Sequence, residues 1–327
     1  MPQSSALIVK TSSLGDVIHA LPALTDICQH RPSTVVDWVV EESFSAIPAL
    51  HPGINRVITC NIRQWRKSIW RSATRSAWKQ FTTLLGVTHY DAIVDLQGLL
   101  KSGLLSTYAH GERHGYDAES IREPIASHFY HKKHTISRHI HAVERNRQLM
   151  AKALGYTIDT PPDYGIVAPR EFERPFERLG GCEGAYVMLL PATSRAEKYW
   201  SIDHWNTLVR WLLSHKINMI ILWGTAHERV LANALASPNP QRCHVPTERH
   251  NIHTLAGWIG HAQAVVGVDT GLMHLAAALN RFTVGIYGVT SPILAGPYPP
   301  STERISLGGL EGFPSPHEVI SHLKYIL

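Results

Sequence analysis

The sequence predicts an α/β protein of two doubly wound, Rossmann-like domains. Short apolar runs alternate with longer amphipathic ones, the pattern of βαβ units on parallel sheets. The alternation occurs in two stretches separated by Thr157–Gly184, where Pro161, Pro162, Pro169, Pro175 and a Gly180-Gly181 pair mark a linker region. At 327 residues the chain is too long for one ordinary core and about right for two. We therefore expect domains at 1–160 and 161–312, and a closing helix at 313–327 that could pack back on the first domain. Two doubly wound domains facing each other place a ligand cleft at the carboxyl ends of both sheets.

In the first domain the strand-like runs are Ala6–Lys10, Val35–Val40, Arg56–Cys60 and Asp91–Leu96. Helical spacing covers Asp16–Gln29, Trp65–Leu85, Lys101–Tyr108 and Ser137–Leu154. Pro22 sits two turns into the first of these helices, so it either kinks that helix or starts a second one. In the second domain the strands are Tyr186–Leu190, Asn218–Leu222, Val265–Val268 and Thr283–Tyr287. Helices at Ile202–Ser214, Ala226–Ala236, Thr254–Gly260 and Gly271–Leu279 separate them, and Ser315–Leu327 forms a terminal helix. No repeat at a fixed period is visible.

Composition narrows the function classes. Hydrophobic residues make up 44% and charged residues 17%, and no apolar run approaches a bilayer span. Met1–Ala6 lacks the basic start and apolar core of a signal peptide, so we expect a cytoplasmic protein. Cys28, Cys60, Cys182 and Cys243 lie far apart, which argues against a disulfide framework or a zinc site. The formal charge of +5, with 21 histidines beside it, favours an anionic partner: nucleotide, phosphorylated lipid or nucleic acid.

Four segments carry potential chemistry. The turn Lys10–Asp16 follows the first strand and feeds a helix, which sets free amides and one carboxylate at the mouth of a cleft. Asp16 is there either a catalytic base or an N-cap that satisfies those amides. The turn has neither the G-x-G-x-x-G fingerprint nor the P-loop lysine pattern, which disfavours a nicotinamide dehydrogenase or an ATPase. Gly267–His274 repeats the strand–turn–helix arrangement, so Thr270, Gly271 and the next amides make an anion site for a diphosphate. Asp269 there accepts from a sugar hydroxyl or simply caps the helix. Pro191–Trp200 follows the first strand of the second domain. Its Lys198 offers a compact charge to a phosphate and its Thr193 and Ser194 offer donors, unless the segment is a solvated loop.

The fourth segment opens at Arg63-Gln64-Trp65-Arg66-Lys67 and continues through Trp70, Arg71, Arg75, Trp78 and Lys79. Between Asn61 and Tyr90 there is no Asp or Glu. Helical spacing puts Trp70, Ala77 and Phe81 on one face and Arg71, Arg75 and Lys79 on another. Such a helix reads as a binder of an anionic membrane surface rather than as a solvated face. No nucleic-acid module accompanies it, so we expect no nucleic-acid partner. His128, His131, His134, His139 and His141 are interrupted by Lys132, Lys133 and Arg138, a poor surround for a cation. The chain also lacks Asp-x-Asp, so we expect no metal and no cofactor. A non-catalytic lipid- or nucleic-acid-binding protein would explain the basic helix but leave Asp16, Lys198 and the Asp269 turn without a role.

Taken in series, several segments resemble the heptosyltransferases of lipopolysaccharide synthesis. They are Leu7–Asp26 (LIVKTSSLGDVIHALPALTD), Asp37–Glu42 (DWVVEE), Asp95–Ser102 (DLQGLLKS), Arg122–Pro124 (REP), His141–Arg145 (HAVER), Glu197–Trp200 (EKYW) and Val268–Leu279 (VDTGLMHLAAAL). They occur in the family's order and cover nearly the whole chain. The resemblance implies a GT-B fold and an inverting, metal-independent glycosyltransferase. It implies that the C-terminal domain binds ADP-L-glycero-D-manno-heptose and that the N-terminal domain receives Kdo2-lipid A at the cytoplasmic face of the inner membrane.

By the same resemblance Asp16 is the general base and Lys198 the diphosphate partner. Thr193, Ser194, Glu228, Asp269, Thr270, Gly271 and His274 belong to the donor site. Arg63, Lys67 and Arg122 face the acidic acceptor, and we group with them Ser13, Gly15 and Arg66. A sister activity of the family uses a heptose acceptor; the basic patch and the Arg122–Pro124 segment favour Kdo instead. The five residues before Ala6 extend beyond the family's usual start and are expected to be disordered. The family pattern is loose at Val245–His250, so no adenine contact is assigned there.

Overall fold

A computed structural model describes residues 4–172, 185–193 and 195–327 of the chain. Pro175, the Gly180-Gly181 pair, Cys182 and Ser194, all named above, lie outside the described residues, as do residues 1–3. The chain divides into two compact units, Met1–Ile166 and Val167–Leu327.

In the first unit, β1 (Ser5–Val9), β2 (Val35–Glu41), β3 (Arg56–Cys60), β4 (His89–Asp95), β5 (His110–Tyr116) and β6 (Lys132–His134) form one sheet in the order β3-β2-β1-β4-β5-β6. Every pairing in it is parallel. In the second unit, β7 (Tyr186–Leu190), β8 (Asn218–Ile221), β9 (Cys243–His244), β10 (Ala264–Val268), β11 (Phe282–Tyr287) and β12 (Arg304–Gly308) are ordered β12-β11-β10-β7-β8-β9, again all parallel. Both orders are the Rossmann order, with the direction of winding reversing between the first and fourth strands of each unit. The central strands are buried on both faces, which is why Ala6–Val9 and Val187–Leu190 read as unbroken apolar runs.

All eight predicted strands are present, and four more went unread. β5 is HGERHGY, whose charges and glycines hide a strand paired on both sides, to β4 and β6; Gly111 there has φ +148°, and a Cβ would lie 2.1 Å from the Tyr90 carbonyl oxygen. β6 and β9 are only three and two residues long, so they carry no period.

Asp16–Gln29 is two helices, α1 (Leu14–Ile18) and α2 (Leu21–His30). Pro22 occupies the first turn of α2, where its missing N–H leaves no bond unmade. The disorder expected before Ala6 does not extend to Ser5, which opens β1, or to Ser4, whose carbonyl accepts from Val35 N–H at 2.8 Å.

The basic segment also corrects its expectation. It is not one helix but α4 (Ile62–Trp65), a turn, and α5 (Ser72–Gly86), with α3 (Ala46–Ala49) before them. Ser68 Oγ bonds back to the Gln64 carbonyl at 3.2 Å and meets Thr74 Oγ1 at 3.0 Å, drawing the backbone out of helix between them. Trp70 therefore does not share a face with Phe81. Trp65 and Trp78 do, with ring centroids 5.5 and 6.0 Å from it.

Further along lie α6 (Leu100–Ser106) and α7 (Ala142–Leu154), then α8 (Ile202–Ser214), α9 (Ala226–Ala236), α10 (Ile252–His261), α11 (Gly271–Ala278), α12 (Pro292–Ala295) and α13 (Pro316–Leu323). The terminal helix α13 contributes to the core of the second unit. Val319, Ile320 and Leu323 of α13 are buried in the second unit's core with Trp205 and Leu208 of α8. Trp200 Nε1 fixes the approach to it by donating to the Pro314 carbonyl at 2.9 Å.

Several histidines of the His128–His141 segment make structural contacts. His141 accepts from Val143 N–H to cap α7, His134 stacks on His114, and His131 meets Arg113 Nη2 at 2.7 Å. Cys28, Cys60 and Cys243 are free thiols, and burial pushes Cys60 up to about 12 and Cys243 up to about 11.

Candidate active site

In each unit the carboxyl ends of the first and fourth strands carry loops that bond to one another at the switch point. In the first unit these are the turn after β1 and the segment after β4. Gln97 Oε1 accepts from Thr11 N–H at 3.1 Å and Ser12 N–H at 3.0 Å, and Lys101 Nζ donates to Ser12 Oγ at 2.9 Å. Beneath them, Asp95 is fully buried and accepts from Tyr130 OH at 2.7 Å and from the amides of Gln97 and Gly98. Burial pushes its carboxyl up, and the bonds from Tyr130, Gln97 and Gly98 oppose that shift. Lys10 is also buried, donates to the Leu96 carbonyl at 2.8 Å, and is lowered by its desolvation.

The turn so held presents Asp16. Its Oδ2 accepts from both Ser13 N–H and Ser13 Oγ–H at 2.8 Å, in a capping box on α1. Oδ1 has no hydrogen-bond partner among the described residues. The carboxylate is thus a cap through one oxygen while the other stays available for a proton, so the two sequence readings of Asp16 are compatible. Gly15 is in the same turn of helix.

Arg63, Arg66 and Lys67 are exposed on and just after α4. Arg63 lies over the Phe44 ring at 5.7 Å. Glu41, at the carboxyl end of β2, is 3% exposed and raised by burial, with the amides of Ile62 and Arg63 bonding to it and so seating α4. Arg122 is exposed on another segment, and no hydrogen bond among the described residues joins it to that run. Its neighbour Glu123 accepts from Leu100 N–H at 2.6 Å and ties the segment to the start of α6. Gln97, Lys101 and Glu41 carry this half of the site, yet sequence reasoning gave them no role. Their segments were visible as DLQGLLKS and DWVVEE, but which strands are neighbours was not.

In the second unit the loops after β7 and β10 meet in the same way. Lys198 Nζ lies 2.5 Å from Asp269 Oδ2, Thr193 Oγ1 donates to the Asp269 carbonyl at 3.2 Å, and Thr290 Oγ1 donates to Asp269 Oδ2 at 3.0 Å. His274 Nε2 is 3.9 Å from Asp269 Oδ1. Thr270 is the N-cap of α11 and Gly271 its first residue, so the helix starts with its amides beside this cluster.

Glu228 belongs to a neighbouring loop. It caps α9 by accepting from the amides of Gly224 and Thr225 at 2.7 and 2.8 Å, and Tyr199 OH reaches it at 3.4 Å. Lys198, Asp269, Thr193 and His274 are therefore gathered, whereas Glu228 is linked to them only through the chain segment that carries Tyr199. Chemically, a half-buried cation beside a helix N-terminus suits an anion such as a diphosphate. Asp269 suits hydroxyl groups, since a second anion beside it would be repelled.

Comparison with known proteins identifies the family and the fold. Residues 78–325 match the family described as Glycosyltransferase family 9 (heptosyltransferase). The chain is 43% identical over 294 residues to lipopolysaccharide heptosyltransferase 1 of Escherichia coli K12, covering 89% of this chain and 90% of that one. An Escherichia coli heptosyltransferase solved with ADP superposes with a TM-score of 0.88 at 38% identity, over 99% of this chain and all of the other. The same comparison with the enzyme holding ADP-2-deoxy-2-fluoro heptose gives a TM-score of 0.84 at 38% identity, over 98% and 99%. Sequence and fold match across both switch points: this chain belongs to glycosyltransferase family 9, the heptosyltransferases.

Proposed function

We propose that this heptosyltransferase moves L-glycero-D-manno-heptose from its ADP-sugar to the inner Kdo of Kdo2-lipid A, with inversion, during synthesis of the lipopolysaccharide core. The observation that carries the reading is the convergence of Lys198, Asp269 and the α11 N-terminus at the second sheet's switch point. Relatives solved with ADP and with an ADP-heptose analogue have the same fold, which supports a nucleotide diphosphate there. The donor site comprises Thr193, Ser194, Lys198, Glu228, Asp269, Thr270, Gly271 and His274.

On the acceptor side, a Kdo hydroxyl attacks the anomeric carbon from the face opposite the departing ADP. Asp16 takes the hydroxyl proton as the new bond forms, so one displacement inverts the centre. Negative charge grows on the diphosphate as the old bond breaks. Lys198 and the first amides of α11 are donors fixed in advance, so they stabilise that charge more in the transition state than in the ground state. No step calls for a metal ion. Ser13, Gly15, Arg63, Arg66, Lys67 and Arg122 form the acceptor side, where guanidinium groups match the Kdo carboxylates.

No helix among the described residues is long and apolar enough to cross a membrane. An acceptor anchored in lipid would then be reached by peripheral association with the anionic inner leaflet, through the basic segment. Incubation with ADP-heptose and Kdo2-lipid A should add the mass of one heptose. Transfer only to an acceptor already ending in heptose would favour the sister activity and overturn the Kdo assignment.

A further inference from the structure

The turn between α4 and α5 leaves two large apolar side chains without cover. Trp70 is 87% exposed and Ile69 60% exposed, side by side at the point where the helix is interrupted. Around them Arg66, Lys67, Arg71, Arg75 and Lys79 are all exposed, and no acidic residue occurs from Asn61 to Tyr90. The turn is not slack: Arg71 N–H donates to the Ser68 carbonyl at 3.0 Å, and the Ser68–Thr74 hydroxyl pair closes its base. A second apolar row runs along α6, where Leu100 and Leu104 stand one turn apart and are 46% and 45% exposed. Tyr108, just beyond, contacts Trp78 of α5 edge-on at 5.3 Å and so joins this row to the α5 side of the turn.

We propose that the Ile69–Trp70 turn is a membrane-inserting tip, which enters the headgroup region of an anionic bilayer while the surrounding arginines and lysines hold the phosphates. This rests on the reading of a lipid-borne acceptor and deepens it by naming the contact. Charge alone would serve an acidic protein equally well, but it would not account for an indole and a sec-butyl group held out in water. An indole has its lowest free energy at the boundary between headgroups and acyl chains, where its ring leaves water and its N–H stays solvated. Basic residues on either side add attraction that an anionic surface alone can supply. The indole therefore fixes depth and the cations fix the choice of lipid.

The test uses the full chain with vesicles of phosphatidylcholine and phosphatidylglycerol that contain no acceptor. At low salt the wild type should sediment with anionic vesicles, and Ile69→Ser/Trp70→Ser should weaken that partitioning about tenfold or more. Tryptophan fluorescence of the wild type should be quenched by lipids brominated near the headgroup, and Trp70→Phe should remove most of that quenching. Both variants should retain wild-type turnover on a soluble, deacylated acceptor, which shows that they fold. If the wild type ignores anionic vesicles, the membrane reading fails and the tip with it. If the wild type binds and the double variant binds equally, the tip is overturned while peripheral association stands. Equal retention of wild type and variant on soluble poly-glutamate and on vesicles would mean that the patch reads charge alone, which also overturns the tip.

Discussion

Lys198 and Asp269 form an ion pair across the switch point of the second sheet, with Nζ 2.5 Å from Oδ2. Thr290 donates to the same carboxylate oxygen, so Asp269 is held while it holds the lysine. The pair links two loops whose strands, β7 and β10, are adjacent only because the winding reverses between them. Its consequence is positional: the ammonium is fixed beside the start of α11 rather than free to swing on its four-carbon stem.

Lys198→Ala should therefore impair the donor side. Loss of one charge-assisted bond to phosphate, about 1.5–3 kcal/mol, weakens ADP binding roughly 10- to 150-fold. Calorimetric titration with ADP measures this directly, and unchanged affinity would remove Lys198 from the site. Asp269→Asn should weaken ADP less, because the cation remains although it is less well held.

Activity should survive chelation. Lys198 and the first amides of α11 are assigned the stabilisation of the leaving diphosphate that a divalent ion would otherwise supply. Full loss of transfer in EDTA, restored by a divalent cation, would contradict that assignment.

Asp16→Asn should lower kcat by about 10²–10⁴ while ADP affinity and thermal midpoint stay near wild type. An asparagine carbonyl can still accept from Ser13, so the cap on α1 survives and only proton removal is lost. Turnover within a few-fold of wild type would reduce Asp16 to a cap.

A buried ion pair in the first unit should dominate a stability measurement. Arg147 Nε and Nη2 donate to the two oxygens of Asp26 at 2.9 and 3.0 Å, and both side chains are 2% exposed. Asp26→Ala leaves the guanidinium buried with, among the described residues, Glu144 and the Thr160 carbonyl, at a cost of about 3–5 kcal/mol. The double variant Asp26→Leu/Arg147→Met should recover much of that loss in urea unfolding. An additive double variant would show that the pair is not coupled.

Stability should also fall below neutral pH through His51. Burial lowers its pKa from 6.5 to about 4, with Asp163 opposing. Gly53 N–H donates to Nδ1 at 3.0 Å, so Nε2 carries the proton and gives it to Thr25 Oγ1 at 2.9 Å. The unfolded chain binds this proton first as pH drops, so the contribution is whole above pH 6.5 and is lost between there and about 4. At most it amounts to about 3 kcal/mol for the first unit. The slope of stability against pH should flatten over that window in His51→Gln, and an unchanged slope would refute the assignment.

The sequence by itself determined the two doubly wound units, eight of their strands and the turns that carry Asp16, Lys198 and Asp269. Those features are local: an apolar run of five residues, or a small-residue turn before a helix, is written in consecutive positions. Tertiary structure decided the remainder. It added strands too short or too polar to show a period, and it set Gln97 and Lys101 against Ser12, residues separated by more than eighty positions. It packed Trp65 and Trp78 against Phe81 in place of Trp70, beyond a turn at which the Ser68 hydroxyl bonds locally to Gln64 and Thr74. Neighbours in a parallel sheet are chosen by the winding of the chain, and no segment read alone contains that choice.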